Sequence, residues 1–393
     1  MSKVYLKSCR TYNEDQVRET ISGIMESMGG IDRFIKPGMK VILKPNMILA
    51  KKPQDAATTH PAVVAAVASL VRNAGAVPII AESSFGQYTK ASLDRHYASC
   101  GYKKLAEDGL VELNNDVSVT EIQFDQGKNL KKLSILKPIL DADFVISLSK
   151  LKTHALMTYT GAVKNLFGSV AGFQKGIVHA RFPDSKTFAD AIIDICLAVK
   201  PGLHIMDAVT GMEGDGPTAG TPRDIGFIGA STDPFALDFA AASVITGKPE
   251  TIPTIAGAIS RNLSPSRPDQ IEFPLENPEA FKIIDFRLPG FNSSHTVSWL
   301  RNSRFLKPYP AFNSKVCVGC GECSKNCPVS ALTMVEKRPV LNMKKCIRCF
   351  CCHEGCMPKA VMIKRNRFAG MFEAGLSVLA QMGGEIFRHG RKK

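Results

Sequence analysis

Cys317-x2-Cys320-x2-Cys323-x3-Cys327-Pro328 is followed, at an offset of 29 residues, by Cys346-x2-Cys349-x2-Cys352-x3-Cys356-Met357-Pro358. The second run repeats the first. Three closely spaced cysteines wrap one face of a cubane, and the amides between them point at its sulfurs. The fourth cysteine, held by the proline after it, crosses to the other cluster. The spacing therefore predicts two [4Fe–4S] clusters, one on Cys317, Cys320, Cys323 and Cys356, the other on Cys346, Cys349, Cys352 and Cys327. The competing readings are a zinc site or a disulfide staple. Zinc sites take four ligands at looser spacing, and eight cysteines in a doubled pattern leave little room for one. Cys351 is an extra thiol in the second run. Using it in place of Cys352 breaks the spacing, so it is read as unligated.

From Asn313 to Asn366 this stretch resembles the bacterial two-cluster ferredoxins, which implies a small α+β module that carries single electrons. The remaining cysteines, Cys9, Cys100 and Cys196, are scattered and suggest no disulfide framework. The net charge is +14, and Asn313–Asn366 contributes ten Lys/Arg against three Glu. Two cubanes, each carrying about −2 by formal counting on four thiolates, offset part of that excess. The balance is thus poor evidence for a nucleic-acid partner, and it favours anionic substrates or acidic redox partners. The N-terminus lacks the order of a signal peptide. The longest clean apolar run, Ala62–Val71, is too short to span a bilayer. A cytoplasmic protein without a transmembrane segment is expected.

Upstream of the cysteines, apolar runs alternate with helical periodicity. Strands are expected at Lys3–Ser8, Lys40–Leu43, Val77–Ala81, Asp143–Leu148, Leu203–Met206 and Ile225–Ile228, with a last edge strand at Phe281–Ile284. Helices are expected from Asn13 to about Met28, Pro61 to Asn73, Asp184 or Ser185 to Val199, and after Asp233 to Val244. This alternation predicts an α/β fold, with a mostly parallel sheet and helices on both faces. The expected organisation is an α/β domain over 1–285, a connector over 286–312, the cluster domain over 313–366, and an amphipathic helix with a basic tail over 367–393.

The unusual polar residues collect just after predicted strands: Lys44 and Asn46, Glu82, Lys150 with Lys152 and His154, then Glu213 and Asp215. In an open parallel sheet these strand ends form the ligand crevice. Lys150, Lys152 and His154 alternate, so extended structure puts them on one side. His60 sits in Thr59-His60-Pro61 at a helix start, as a base, a metal ligand or a capping residue. Lys164-Asn165 lies between Gly161 and Gly168, which suggests close approach to a ligand. Glu213 and Asp215 form an acidic loop that either holds a divalent cation or turns. Solvated turns and helix caps are the plain alternative for each of these. No short motif tests for a flavin.

The blocks Lys44-Pro45-Asn46, Thr59-His60-Pro61, Ser149-Lys150-x-Lys152-Thr153-His154, Gly161-x2-Lys164-Asn165-x2-Gly168, Met212-Glu213-Gly214-x-Gly216-Pro217 and Asp233-x4-Asp238 resemble, in order, the domain-of-unknown-function family 362. That resemblance covers about residues 1–285 and implies little about activity. The residues themselves point to an iron–sulfur oxidoreductase. Electrons from two clusters would reach a small anionic substrate or cofactor at the strand ends. Lys44, Lys150, Lys152 and Lys164 would neutralise the anion, Asn46, Glu82 and Asn165 would help bind it, and His154 and His60 would handle protons. The alternative is an electron-supply or maturation factor serving a partner enzyme.

Overall fold

The computed structural model describes residues 1–289 and 307–364. The expected C-terminal amphipathic helix lies outside the described residues.

An eight-stranded mixed sheet carries the first 289 residues. Its strands are β1 (Tyr5–Ser8), β2 (Lys40–Pro45), β3 (Val77–Ile80), β4 (Glu112–Leu113), β5 (Phe144–His154), β6 (Thr158–Thr160), β7 (Leu203–Glu213) and β8 (Thr221–Ser231). They lie in the order β1-β8-β7-β5-β2-β3-β4, with β6 folded back on the end of β5. The stretch from β7 to β4 is parallel. Strands β8 and β1 add antiparallel at one edge. The central position of β5 follows from its apolar continuity, since a strand covered on both faces has no polar side. Leu43 and Ile146 pack with the helices Glu14–Ser27 and Pro61–Asn73 on one face, and Ile42 and Val145 with Ser185–Val199 on the other.

Local chemistry sets the helix ends. Asn13 Oδ1 accepts the Gln16 amide at 3.1 Å, while Gln16 Oε1 returns to the Thr11 amide at 3.0 Å. Asp184 and Asp233 cap the helices that follow them, each accepting two backbone amides. Pro61 opens its helix at the first position, where a missing N–H costs nothing.

Several elements depart from expectation. Lys3–Ser8 divides at Val4: Ser2–Lys3 pairs with Ile271–Glu272, and Tyr5–Ser8 joins the main sheet. Phe281–Ile284 is no strand. Pro278–Phe281 forms one 3-10 turn there, because Asn277 Oδ1 accepts the Glu279 amide and starts a turn. Strands β5 and β7 also run well beyond Leu148 and Met206, each held there by an antiparallel neighbour: β6 pairs with residues 152–154, and β8 with β7 as far as Glu213.

Residues 307–364 form a small α+β unit. Strand β9 (Tyr309–Phe312) pairs with β12 (Val361–Lys364), and β10 (Leu332–Val335) with β11 (Arg338–Leu341). The sequence repeat is a backbone repeat. Gly319 and Gly321 have φ of 72° and 78°, and their counterparts Arg348 and Phe350 have 58° and 63°. Ser330 and Lys359 correspond in the same way, at 48° and 58°. Asn313 and Asn342 each accept an amide two residues on, at 3.0 Å. Left-handed backbone is costly for residues with a Cβ. Its recurrence at Arg348 and Phe350 shows that the loop shape, not glycine's freedom, is what both halves require.

Candidate functional site

Burial pushes Cys323 up to about 11, and the neighbours adding to that rise are Cys356, Cys320 and Cys317. Cys346 is raised by burial and then by Cys349 and Cys327. Cys352 is raised well above the ordinary thiol by burial and by Cys349 and Cys346, with Cys323 and Cys327 beyond them. Cys356 thus neighbours Cys323, and Cys327 neighbours Cys346 and Cys352. The Ala331 amide donates to Cys327 Sγ and the Ala360 amide to Cys356 Sγ, both at 3.2 Å. An amide aimed at the sulfur of Cys327 and another at that of Cys356 fit the use of both as thiolate ligands of a cluster.

Between this unit and the strand ends lies a cavity of about 60 Å³. Of the residues singled out in the sequence, Asn46, Glu82, Lys152, His154, Lys164 and Asn165 line it. Lys44 stands behind them, fully buried. Its ammonium donates to Glu82 and to the Asn165 carbonyl, the latter at 2.6 Å. Burial pushes Lys44 down and Glu82 up from their usual ranges. Gly168 makes room for this pair, because a Cβ there would land on the Glu82 carboxylate.

Lys152 donates to Asn46 Oδ1 at 2.7 Å and to the Ala57 carbonyl at 2.5 Å. Burial, reinforced by Lys164, holds it down at about 7. His154 Nδ1 accepts the amides of Leu156 and Met157 at 3.2 and 3.3 Å, which puts the ring proton on Nε2. Burial lowers His154 to about 4, so the ring is neutral at pH 7. Lys164 makes no hydrogen bond with its ammonium among the described residues. It lies over Phe167, 5.3 Å from the ring centre.

Three lining residues carry no strand-end signal. Lys175 and His179 sit one turn apart on the helix Gln174–Arg181 and both face inward. Lys175 donates to Ser83 Oγ at 3.0 Å and the Ser84 carbonyl at 3.1 Å, and burial holds it at about 7. The third is Glu354, which lies between Cys352 and Cys356. Its Oε1 stands 3.1 Å from His154 Nε2, off the line of the N–H. Burial works to raise this carboxyl, yet His154, Lys164 and His179 together bring it down to about 2. The signal for Glu354 was a break in the repeat: its counterpart 29 residues earlier is Lys325.

His154 Nε2, Thr160 Oγ1, His179 Nδ1 and Glu354 Oε1 are all buried, line this cavity and lack an aligned hydrogen bond. Lys44, Lys152, Lys164 and Lys175 face only Glu82 and Glu354. Buried polar groups are ordinarily satisfied, so the lining has spare donors and spare positive charge, which is the complement of a small oxyanion.

Other expected members sit elsewhere. Lys150 is neutralised by Asp207 at 2.9 Å and donates to Tyr12 at 2.7 Å. Lys150 is therefore not free to neutralise an anion in the cavity, because β7 runs parallel to β5 with Asp207 beside Lys150. His60 stacks on Tyr12 at 3.7 Å, and its Nδ1 accepts the Ala62 amide at 3.2 Å, the capping role. Glu213 is taken by the Arg287 side chain at 2.8 Å and its amide at 3.1 Å, whereas Asp215 is exposed and meets His353 only through its carbonyl. Their carboxylates do not converge on a cation site.

Among the described residues no helix is long and apolar enough to cross a membrane. Residues 41–243 match the model of a domain of unknown function, DUF362, and residues 309–357 match a 4Fe-4S dicluster domain. A thylakoid-associated protein of Synechocystis sp. is 34% identical over 298 residues, 74% of this chain and 88% of that protein. Among solved structures, the lactate racemase apoprotein of Thermoanaerobacterium thermosaccharolyticum is similar at 15% identity and a TM-score of 0.37, over 60% of this chain. A Thermotoga maritima protein is similar at 12% and 0.32, over 52% of this chain. The chain spans about half the length of these two structures, 55% and 52%, and at such scores the likeness carries no argument.

Proposed function

The chain belongs to the DUF362 family and carries a 4Fe–4S dicluster module, and from that premise we propose an iron–sulfur oxidoreductase acting on a small anion at the seam. Cys317, Cys320, Cys323 and Cys356 hold one [4Fe–4S] cluster, and Cys346, Cys349, Cys352 and Cys327 hold the other. When bound, the two clusters supply single electrons. Lys152, Lys164 and Lys175 hold the anion. Asn46 and Asn165 orient it, Lys44 fixes Glu82 beside it, and the Nε2 proton of His154 is placed to be donated to it. The cytoplasm is the proposed compartment, since free thiols and clusters persist where the medium is reducing.

The observation that carries this reading is Glu354. A residue from inside the second cysteine run forms one wall of the strand-end cavity and stands against His154. A module that only relayed electrons to another protein has no need to complete a buried polar pocket in its own chain.

The test is anaerobic. The reduced chain is mixed with a panel of small carboxylates and inorganic oxyanions, and cluster reoxidation is followed by absorbance near 400 nm. One anion class is expected to reoxidise the parent at least about tenfold faster than Lys164→Met, about 1.4 kcal/mol. Reoxidation only by a partner protein, at the same rate in both chains, favours the electron-supply factor instead.

A further inference from the structure

The two thiol sets are unequally placed. Cys349 and Cys352 are each 8% exposed, and their loop is pressed onto the α/β sheet. Gly355 packs so closely under Phe85 that a Cβ would come within 2.8 Å of the ring. The Glu354 carbonyl accepts from Thr218 Oγ1 at 3.1 Å. The other set opens outward: Cys320 is exposed, and Cys317 and Cys323 are half-buried.

Around that outward set lies a surface of exposed valines and cations. Val316 and Val318, flanking Cys317, are 41% and 71% exposed. The β10–β11 turn meets the same loop at two points. Arg338 donates to the Cys317 carbonyl, and the Lys337 backbone packs against Gly319. Lys315, Lys337 and Arg338 are exposed around the two valines, with Glu336 as the acidic residue at the turn. Glu322, on the next helix, is paired with Lys325 at 3.1 Å. Residues 307–364 carry ten Lys/Arg against three Glu, and one of those three, Glu354, is buried on the opposite side. A small apolar centre with a cationic rim, over a half-open thiol set, is the anatomy of a transient electron-transfer contact. The apolar centre excludes water and the rim steers the partner.

We propose that Lys315, Val316, Val318, Lys337 and Arg338 form the docking face for an acidic one-electron carrier protein, which makes the Cys317/Cys320/Cys323/Cys356 set the entry side and the Cys346/Cys349/Cys352/Cys327 set the delivery side. Each encounter oxidises the carrier by one electron and reduces the entry side by one. The assignment rests on the two-cluster reading above, and its test is chosen so that the two fail separately.

The full chain, reconstituted anaerobically and assayed for iron, is reduced in a stopped-flow instrument by a reduced [2Fe–2S] ferredoxin with an acidic surface, or by methyl viologen radical. The ferredoxin rate is expected to fall at least about tenfold between about 50 and 500 mM salt. It is expected to fall by a similar factor in the double variant Lys315→Glu, Lys337→Glu. The viologen rate and iron content of that variant stay at parental values. In the unmodified chain, zero-length carbodiimide cross-links to the ferredoxin map to Lys315 or Lys337. A ferredoxin rate indifferent to salt and to both substitutions overturns the docking face, as do cross-links confined to lysines of residues 1–289. A parent chain that binds no iron instead overturns the cluster reading beneath it.

Discussion

Lys164 is the cation whose charge is least answered: it has an aromatic ring beneath it and no hydrogen bond among the described residues. Lys164→Met keeps the stem and removes the charge. The variant is expected to fold, keep its iron and bind a small anion at least about tenfold more weakly, read as a lost thermal shift on anion addition. Lys152 and Lys175, held at about 7 by burial, give the cavity a pH dependence. Below pH 7 both are charged and attract the anion. Above it they lose their protons, and affinity should fall by up to about tenfold per pH unit for each lysine involved. The groups facing them are Glu82, Glu354, Lys44, Lys150 and Lys164. The stability of the free chain moves the opposite way. In the unfolded state these lysines keep their protons to about pH 10.4, so from pH 7 upward the unfolded state binds more protons and folding is favoured. Calorimetry at pH 7 and 9, in buffers of different ionisation heat, reads both signs.

At the scale of the element, close packing rather than side-chain chemistry decides two outcomes. Gly168→Ala drives a methyl into the Glu82 carboxylate and should cost about 1–3 kcal/mol in chemical denaturation, with the Lys44–Glu82 pair displaced. Lys200 ends the helix Ser185–Val199 in the left-handed conformation, at a φ of 47°, with its amide on the Cys196 carbonyl at 3.0 Å. Lys200→Gly relieves that conformation and should raise stability by up to about 1 kcal/mol in the same assay. Helix boundaries were legible because caps are local: Asn13, Pro61 and Asp184 announce themselves within four residues. Strand lengths were not, because the ends of β5 and β7 depend on β6 and β8, partners that no local pattern reveals. That is why Lys150, Lys152 and His154, expected just past a strand end, are residues of the strand itself.

The whole molecule binds the two halves through the second cysteine run, and its symmetry supplies its own control. The anaerobic chain should contain about eight iron and eight sulfide. Glu354→Ala removes the carboxylate that His154, Lys164 and His179 bring down to about 2, and should lower stability in chemical denaturation. It should keep its iron, become more sensitive to proteolysis and lose the anion-induced thermal shift. Lys325→Ala, at the equivalent position of the first run, removes an exposed side chain paired with Glu322 and should match the parent. Six of the polar lining residues were legible in the sequence. Asn46, Glu82, Lys152, His154, Lys164 and Asn165 were found as strand-end or glycine-flanked residues. Lys175 and His179 lie on a helix whose inward face only packing defines, and Glu354 hid within a motif that is read for its cysteines alone.

On its buried side the repeat loses its symmetry. At positions 322, 324 and 325 the first run has Glu, Ser and Lys; the second has Cys351, His353 and Glu354. All three of these are buried against the sheet or the cluster loop, while the backbone of the two runs stays matched. A plain, symmetrical dicluster unit spliced in at residue 309 would therefore be expected to load metal and fold, yet leave the strand-end chamber without a roof. The second run is no interchangeable cartridge, and any chimera that is to keep the chamber closed must carry residues 351–355 over with the host sheet rather than with the donor.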